Sequence, residues 1–273
     1  MPLPEASPLI AFAQHWGPHA LPVFLVGLLV AVVASGLAGM LVHLRQARRS
    51  ETAEDGPPTV ARLLASYATG FVLIVGAALL FAAMARQIGP GHAMGLADQA
   101  LTDAIALHVP AVALRAFGVL THLGDPLALG VLGVVVAVWL WRRPERLLAI
   151  GWGVALAGNA MLNPLLKQVF ARSRPLHDHG LPLASGYSFP SGHSSGAVVA
   201  YGMLLYVALR VLPSRWHAVA GMVATAVVLT TACGRVFLRV HFASDVAAGV
   251  LSGLAWLGVC VASLEVTRRH RQP

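Results

Sequence analysis

The sequence predicts an all-α protein that crosses a membrane several times, with a core of six helices and one extra N-terminal transmembrane helix ahead of it. Of the 273 residues, 57% are hydrophobic and only 11% are charged, whereas a soluble domain carries about 25% charged residues. Several uncharged runs approach the roughly 20 residues that a helix needs to cross about 30 Å of hydrocarbon. These observations exclude an ordinary soluble enzyme.

Seven apolar runs are candidates for membrane-spanning helices. The first is followed by a polar stretch and is interpreted as an addition to a six-helix core. A weaker segment, Ala97–Leu120, contains charged residues and predicts an amphipathic helix in the membrane interface, with a poorly formed span as the alternative. The seven runs are Ala20–Leu44, Leu63–Ala85, Pro126–Trp141, Leu147–Leu166, Ser194–Leu212, Ala218–Gly234 and Val246–Leu264.

The arginines divide the chain and orient it in the membrane. We expect residues 1–62 to hold the extra helix and a cytoplasmic linker, residues 63–267 to form the membrane core, and residues 268–273 to be a basic cytoplasmic tail. Most arginines then lie in cytoplasmic loops, as the positive-inside rule favours, and the N-terminus lies outside. The chain is therefore predicted to be a multi-pass integral protein of the cytoplasmic (inner) membrane.

The net charge of +8 does not indicate a nucleic-acid partner. The basic residues are scattered singly and in pairs, without the clustered stripe that nucleic-acid binding needs. Some of them nonetheless fall on the outer side, which the positive-inside rule disfavours, and most of these lie in two short stretches at helix ends. We interpret these basic residues as part of a site for an anion.

Three stretches contain candidate site residues. The first, which is one of the two basic stretches, contains Lys167, the only lysine in the chain, and Arg174. If the fourth span stays helical to its end, these residues lie about 700° apart around the helix and therefore point in nearly the same direction. Pro175 disfavours helix at the preceding residue, so the helix is expected to end near Arg174. Arg172 points about 140° away and is expected to be solvated or to contact lipid headgroups.

The second stretch, Pro190-Ser191-Gly192-His193, opens the fifth span. A proline and a serine before an apolar helix are typical of a helix start. Gly192 lets backbone N–H groups approach an anion closely at the positive end of the helix dipole, and His193 would lie beside that anion. A plain helix cap is the alternative interpretation.

The third stretch runs from Arg235, at the end of the sixth span, to Asp245. The chain is expected to break between Arg235 and His241, because six residues are not a helical repeat. His241 and Asp245 would then be neighbours in the first turn of the last span. The carboxylate can hold one imidazole nitrogen and leave the other free as a nucleophile. A purely structural His–Asp pair is the alternative, and three cations and a second histidine on the same membrane side argue against it.

In this order, the spacings K-x6-R-P, P-S-G-H and R-x5-H-x3-D resemble the signature of the type 2 phosphatidic acid phosphatase (PAP2) family, which shares its site with the vanadium-dependent haloperoxidases. The resemblance implies a six-helix lipid phosphatase core with an extracytoplasmic active site. One departure is Gly234, where the family often has a serine. The resemblance implies catalytic roles for His241 as nucleophile, Asp245 as its helper and His193 as general acid, and phosphate binding by Lys167, Arg174, Ser191, Gly192 and Arg235.

The expected activity is hydrolysis of a lipid phosphate monoester or pyrophosphate through a phosphohistidine, with phosphatidic acid, phosphatidylglycerol phosphate and undecaprenyl pyrophosphate as candidate substrates. A lipid phosphotransferase using the same phosphohistidine is the main alternative, and a lipid phosphate transporter is a weaker one. No cofactor or metal is predicted, because three cations and a helix N-terminus can neutralise phosphate oxygens. The run His177-Asp178-His179 is the alternative metal site. The expected partners are the lipid substrate and the bilayer, and the oligomeric state is left open.

Overall fold

The structure, a computed structural model, describes residues 7–51, 60–89, 91–175 and 186–270. The regular elements within these ranges are helices. The α-helices are α1 (Pro8–Trp16), α2 (Ala20–Glu51), α3 (Val60–Ala85), α4 (Ala93–His108), α5 (Ala111–Leu120), α6 (Pro126–Trp141), α7 (Arg146–Phe170), α8 (Gly192–Val211), α9 (His217–Phe237) and α10 (Ala243–His270).

Six helical segments of the described ranges are long and apolar enough to cross a membrane. The predicted fold class, an all-α polytopic membrane protein, is therefore confirmed. The predicted third span, α6, has 16 residues, which at 1.5 Å per residue reach about 24 Å and cover only part of the hydrocarbon thickness. The six segments are Pro8–Leu44, Tyr67–Ala85, Arg146–Phe170, Gly192–Val211, Ser214–Phe237 and Ala243–His270.

The segment 97–120 does not form the single interfacial helix that the sequence predicts. It belongs to two helices, α4 and α5, which meet at an angle of 116°. Val109 is extended between them, because the residue before a proline is disfavoured in helical geometry and Pro110 has no N–H to continue the hydrogen-bond ladder. The pair packs into the protein, with α4 against α1 and α5 against α9.

Helix α8 lies at the centre of the bundle and packs against α7, α9 and α10. Gly249 and Gly253 of α10 allow the closest of these approaches. A Cβ at Gly249 would lie 2.5 Å from the carbonyl oxygen of Ser191, and one at Gly253 would lie 3.0 Å from that of Ser195. Small residues four apart let helix backbones touch in a membrane. This contact holds the first turns of α8 and α10 together, where two of the three motifs lie.

The extra N-terminal helix packs against the core. The later part of α2 crosses the start of α9, where a Cβ at Gly39 would lie 2.7 Å from the Cα of Ala218. At the other end, the ring of Phe24 lies 5.4 Å from that of Phe237. The helices are therefore antiparallel, and α1 lies at the end of the bundle where the motifs meet. Residues 52–59 of the predicted linker and 271–273 of the predicted tail lie outside the described residues.

Candidate active site

The three motifs meet at one end of the bundle, around a cavity of about 1000 Å³. The end of α7, the start of α8 and the turn between α9 and α10 each supply side chains to this cavity. Six of the predicted site residues line its polar end. These are Lys167, Arg174, Gly192, His193, Arg235 and His241.

The turn after α9 fixes the position of His241. The backbone N–H groups of Val240 and His241 both donate to the carbonyl oxygen of Arg235, each at 3.2 Å. This double hydrogen bond closes the loop between the two motif residues and explains the spacing of six. Helix α10 begins only at Ala243, so the prediction that His241 lies in its first turn is wrong. The side chain of His241 is instead held, almost fully buried, just before the helix.

The hydrogen bonds of His241 define its tautomer. Nη1 of Arg174 lies 3.1 Å from Nε2 of His241. A guanidinium can only donate, so Nε2 must accept and carry a lone pair. The ring proton of a neutral imidazole is then on Nδ1. Burial is the main cause that lowers the pKa of His241 to about 3. The ring is therefore neutral at physiological pH, with the lone pair of Nε2 directed at the cavity cations.

Asp245 faces the other side of the His241 ring. Its Oδ2 lies 3.6 Å from Nδ1 of His241, which is longer than a hydrogen bond. Nδ1 is buried and has no hydrogen-bond partner among the described residues. The same Oδ2 accepts the N–H of Phe242 at 2.9 Å. The predicted pair is thus adjacent, and a small movement of the ring would complete its hydrogen bond.

His193 has a carboxylate partner that the sequence analysis missed. Nε2 of His193 lies 2.6 Å from Oδ1 of Asp125, and Oδ2 of Asp125 lies 2.5 Å from Nδ1 of His122. Burial raises the pKa of Asp125, but the two histidines outweigh that effect and hold it below its usual value. Asp125 is therefore a carboxylate, and Nε2 of His193 must donate to it, which leaves Nδ1 to exchange a second proton.

The only sequence signal at Asp125 is its place before Pro126 at the start of an apolar run, which is typical of a helix cap. In the structure its side chain makes no capping hydrogen bond. Its oxygens bond to the two histidines instead. One of these, His193, lies 68 positions away in the sequence, so only the packing of α6 against α8 brings the pair together.

The cations converge by a different route from the predicted one. Helix α7 ends at Phe170, where Ala171 takes a left-handed conformation, so the prediction that the helix continues to Arg174 is wrong. Nζ of Lys167 and Nη2 of Arg174 nevertheless donate to the same carbonyl oxygen, that of Tyr187, at 2.6 and 3.2 Å. The third cation, Arg235, is buried and donates to Oγ1 of Thr121. Within the described part of the chain, its Nε has no hydrogen-bond partner.

The start of α8 contains the two remaining predicted phosphate ligands. The hydroxyl of Ser191 caps the helix by accepting the N–H of Ser194 at 3.4 Å, which is the alternative interpretation of this motif. Ser191 is fully buried. Gly192 lines the cavity, and a Cβ there would lie 2.8 Å from Oδ1 of Asn163, so the close approach of α7 requires a glycine. The first turn of α8 therefore meets the cavity at Gly192 and His193.

Arg172 is neither solvated nor free to contact lipid, so that prediction is wrong. Its side chain is nearly buried, and Nη1 donates to Oδ1 of Asp245 at 2.6 Å while Nη2 donates to Oδ2 of Asp98 at 2.9 Å. The reason for the error is the end of α7, because the helical angle used to orient Arg172 does not extend past Phe170. Gly234, the departure from the family pattern, packs against Phe117.

Away from the charges, the cavity becomes apolar. This part of the cavity lies between α6 and α7. It is lined by Leu129, Val134, Ala137, Leu156 and the buried Trp152. A cavity with convergent polar groups at one end and hydrocarbon walls at the other suits an amphipathic ligand. Within the described ranges, no three His, Cys, Asp or Glu side chains are placed to hold a metal ion. The run 177–179 lies outside them.

The fold and the similarities to known proteins are those of a multi-pass membrane lipid phosphatase, a hydrolase. The sequence model of the PAP2 superfamily matches residues 146–269 of this chain. Phosphatidylglycerophosphatase B of Bacillus subtilis (strain 168) is 28% identical over 185 residues, which make up 66% of this chain and 90% of that protein. The crystal structure described as the first transmembrane PAP2 type phosphatidylglycerolphosphate phosphatase from Bacillus subtilis is 28% identical, with a TM-score of 0.68, and the match covers 73% of this chain and 100% of that one.

Proposed function

We propose that the protein removes the terminal phosphate from a lipid phosphate monoester of the phosphatidylglycerol phosphate type, through a phosphohistidine on His241. One observation carries the proposal. The neutral Nε2 of a buried histidine, three cations and a second histidine line the polar end of one cavity, whose other end is hydrocarbon. Phosphoryl transfer needs a positioned nucleophile and neutralised oxygens. A lipid substrate also needs a place for its chain.

In the first step, Lys167, Arg174 and Arg235 bind the phosphate oxygens and Nε2 of His241 attacks the phosphorus in line. The P–N bond forms, the P–O bond to the lipid breaks, and the departing oxygen takes a proton from His193. The His241 ring then carries a positive charge, with Nδ1–H facing the Asp245 carboxylate. The N–H groups of the first turn of α8 add to the neutralisation of the oxygens.

In the second step, water attacks the phosphorus of the phosphohistidine. His193, now neutral, accepts the proton of that water, the P–N bond breaks and inorganic phosphate leaves. Asp125 supports His193 in both steps, because a carboxylate at 2.6 Å fixes the ring and stabilises its protonated form. All the charge neutralisation in this scheme comes from side chains and backbone of the chain itself.

The name of the curated relative supports phosphatidylglycerol phosphate as the first substrate to test. Phosphatidic acid and undecaprenyl pyrophosphate share the same chemistry at phosphorus and remain the competitors. The volume of about 1000 Å³ is at the upper end of ordinary ligand cavities, which suits a headgroup together with part of a hydrocarbon chain.

We also propose that the active site opens on the extracytoplasmic side of the cytoplasmic membrane. At the opposite end of the bundle, a second cavity is lined by Arg142, Arg143, Arg146 and Arg268. Such a concentration of arginines between apolar helices supports a cytoplasmic location for this end. On this view residues 63–267 are the phosphatase core and residues 1–62 are an addition to it.

The test is phosphate release by the purified protein in detergent from phosphatidylglycerol phosphate, phosphatidic acid, undecaprenyl pyrophosphate and a soluble aryl phosphate. We expect release from the first, unchanged by a chelator and blocked by vanadate, a mimic of five-coordinate phosphorus. His241→Ala should abolish it. The matched control is His217→Ala, because His217 is half-buried at the opposite end of α9 and does not line the cavity.

Three results would overturn parts of the proposal. Loss of activity in chelator, restored by Mg²⁺, would mean that a metal neutralises the phosphate. Transfer of the phosphoryl group to an added alcohol without release of phosphate would favour the phosphotransferase. Preference for undecaprenyl pyrophosphate over both monoesters would replace the proposed substrate class.

A further inference from the structure

A buried carboxylate, Asp98, lies behind the nucleophile, and no motif predicted it. Asp98 is on α4, in the segment 93–120 that packs into the protein. Its Oδ1 accepts the N–H of Ser244 at 3.1 Å, and its Oδ2 accepts both the hydroxyl of Ser244 and Nη2 of Arg172, the latter at 2.9 Å. Its partners therefore belong to the first turn of α10 and to the connection after α7.

Arg172 is shared between two carboxylates. Its Nη2 bonds to Asp98, while its Nη1 bonds to Oδ1 of Asp245 at 2.6 Å and to the hydroxyl of Ser244 at 2.7 Å. The guanidinium also lies over the ring of Phe242, 4.3 Å from its centroid. Phe242 is next to His241 in the chain. These contacts form one buried cluster, which contains Asp98, Arg172, Ser244 and Asp245. Through Asp245, the cluster contacts the His241 ring on the side away from the cavity.

The charges of this cluster add up in a way that favours the proposed intermediate. Two carboxylates and one guanidinium leave a net charge of −1 beside a neutral His241. When Nε2 bonds to phosphorus, the ring becomes cationic, and the buried cluster with its new neighbour becomes neutral. Without Asp98, the charge of Arg172 would be balanced by Asp245 alone. The cluster would then be neutral before the reaction, and the cluster with the His241 ring would be cationic after it. One unit of charge beside the ring changes the electrostatic energy strongly where water is excluded.

We propose that Asp98 is a positioning residue of the phosphatase reaction, which acts through Arg172 and Ser244 to keep Asp245 oriented and negatively charged toward His241. The proposal rests on the proposed function of His241 as the nucleophile. Asp98 contacts neither the cavity nor the phosphate cations. It therefore affects the formation of the phosphohistidine and leaves substrate binding nearly unchanged.

Asp103 provides a matched control on the same helix. It is exposed, and Oδ1 accepts the side-chain amide of Gln99. Asp98→Asn and Asp103→Asn make the same chemical change one and a half turns apart, in the buried and the exposed positions of α4. If the loss of any carboxylate destabilised α4, both variants would show the same defect.

The experiment measures KM and the single-turnover rate of phosphoenzyme formation with a soluble aryl phosphate, together with thermal unfolding in detergent. Asp98→Asn should slow phosphoenzyme formation by about 10- to 100-fold and change KM by less than about 3-fold, because it removes transition-state stabilisation only. Asp103→Asn should match the wild type. The double variant Asp98→Asn/Arg172→Gln should be faster than Asp98→Asn by at least about 5-fold, since removing both charges restores the net charge of −1.

A merely structural Asp98 predicts the opposite result for the double variant, because removing a second buried partner can only loosen the cluster further. A double variant no faster than Asp98→Asn would therefore overturn the proposal, as would a loss that appears in KM alone. Should Asp98→Asn not give folded protein, the double variant decides. Phosphoenzyme formation within about 20-fold of the wild type supports the charge argument, and a greater loss refutes it.

The outcome also separates this proposal from the proposed function. A phosphoenzyme that still forms in His241→Ala would mean that His241 is not the nucleophile, whatever Asp98 does. A phosphohistidine that forms in the wild type, is absent from His241→Ala and forms at the wild-type rate in Asp98→Asn would refute only the role of Asp98.

Discussion

Two histidine–aspartate pairs each place a histidine at the same cavity, and they differ in burial and in the distance between their partners. His241 and Asp245 have side chains that are 2% and 0% exposed, and the atoms that face each other are 3.6 Å apart. His193 and Asp125 are 17% and 33% exposed, and their hydrogen bond is 2.6 Å long. The His241–Asp245 pair is therefore buried and lacks a hydrogen bond between the two facing atoms. The His193–Asp125 pair is partly exposed and is hydrogen-bonded.

The difference matches the two separate chemical tasks that we propose for these histidines. A nucleophile must stay neutral until it reacts. Burial lowers the pKa of His241 and so keeps its ring neutral, and the hydrogen bond from Arg174 keeps the lone pair on Nε2. A general acid and base must exchange protons with a leaving group and then with water, which requires access to the cavity and a partner that stabilises the charged ring. In the proposed mechanism, the same two residue types serve both tasks because their surroundings differ.

The largest expected effect comes from removing the buried ring. His241→Ala should lower turnover by roughly 10⁴-fold or more for every substrate, because no covalent intermediate can form. The loss should not depend on the leaving group. Single-turnover assays with an alkyl and an aryl phosphate measure this directly. A residual rate that differs strongly between the two substrates would assign the nucleophile elsewhere.

Removing the more open ring should cost less and should depend on the substrate. His193→Ala is expected to slow cleavage of a lipid phosphate by about 10²–10⁴-fold, the usual contribution of a general acid. An aryl phosphate has a good leaving group and should retain a much larger share of its first-step rate. Equal losses on the two substrates would reduce His193 to a phosphate ligand.

The partner of His193 should have a smaller effect. Asp125→Asn is expected to lower kcat by roughly 10-fold and to move the alkaline limb of its pH profile to lower pH, because an amide stabilises a protonated imidazole less than a carboxylate does. His122→Asn serves as the control. It removes the other, more exposed partner of Asp125 and should change kcat by less than about 3-fold. If the alkaline limb of the pH profile does not shift in Asp125→Asn, the hydrogen bond between His193 and Asp125 has only a structural role.

The smallest effect concerns stability. The pKa of His241 is about 3 in the folded protein, compared with its ordinary value of 6.5. Below about pH 6.5 the unfolded chain therefore binds a proton that the folded protein does not, and stability falls as the pH falls toward 3. His241→Asn lacks this effect. Between pH 7.5 and pH 5, the melting temperature of the wild type should fall by a few degrees more than that of the variant. Equal decreases would contradict the burial of a neutral ring.

The composition and the motif spacing predicted the fold class and the similarity to the PAP2 superfamily, because both depend on local sequence. Runs of apolar residues report the membrane directly, and the three motifs keep their spacing since each lies within one helix end or turn. The cavity also brings Lys167, Arg174, His193, Arg235 and His241 together. Their catalytic roles, and those of Ser191, Gly192 and Asp245, stay predictions.

The failures have a common physical origin. Arg172 was oriented by extending a helix that in fact ends at Phe170, and one left-handed residue is enough to redirect the chain. Asp98 and Asp125 were missed because their partners lie 74 and 68 positions away. Nothing local distinguishes a carboxylate that packs against a distant arginine from one that caps a helix. Such pairs depend on how α4, α6 and α8 pack, which the apolar pattern alone does not define.

The apolar walls of the cavity have a kinetic consequence. Val134 of α6 lines the cavity and is largely exposed at the surface of the bundle, so the cavity reaches the layer where lipid chains lie. A substrate can then enter sideways, with its tail never leaving the hydrocarbon. The relevant concentration becomes the mole fraction of substrate within the membrane or micelle. Adding inert detergent at constant total substrate should therefore slow the enzyme by surface dilution, while the aryl phosphate, which arrives from water, should be hydrolysed at an unchanged rate.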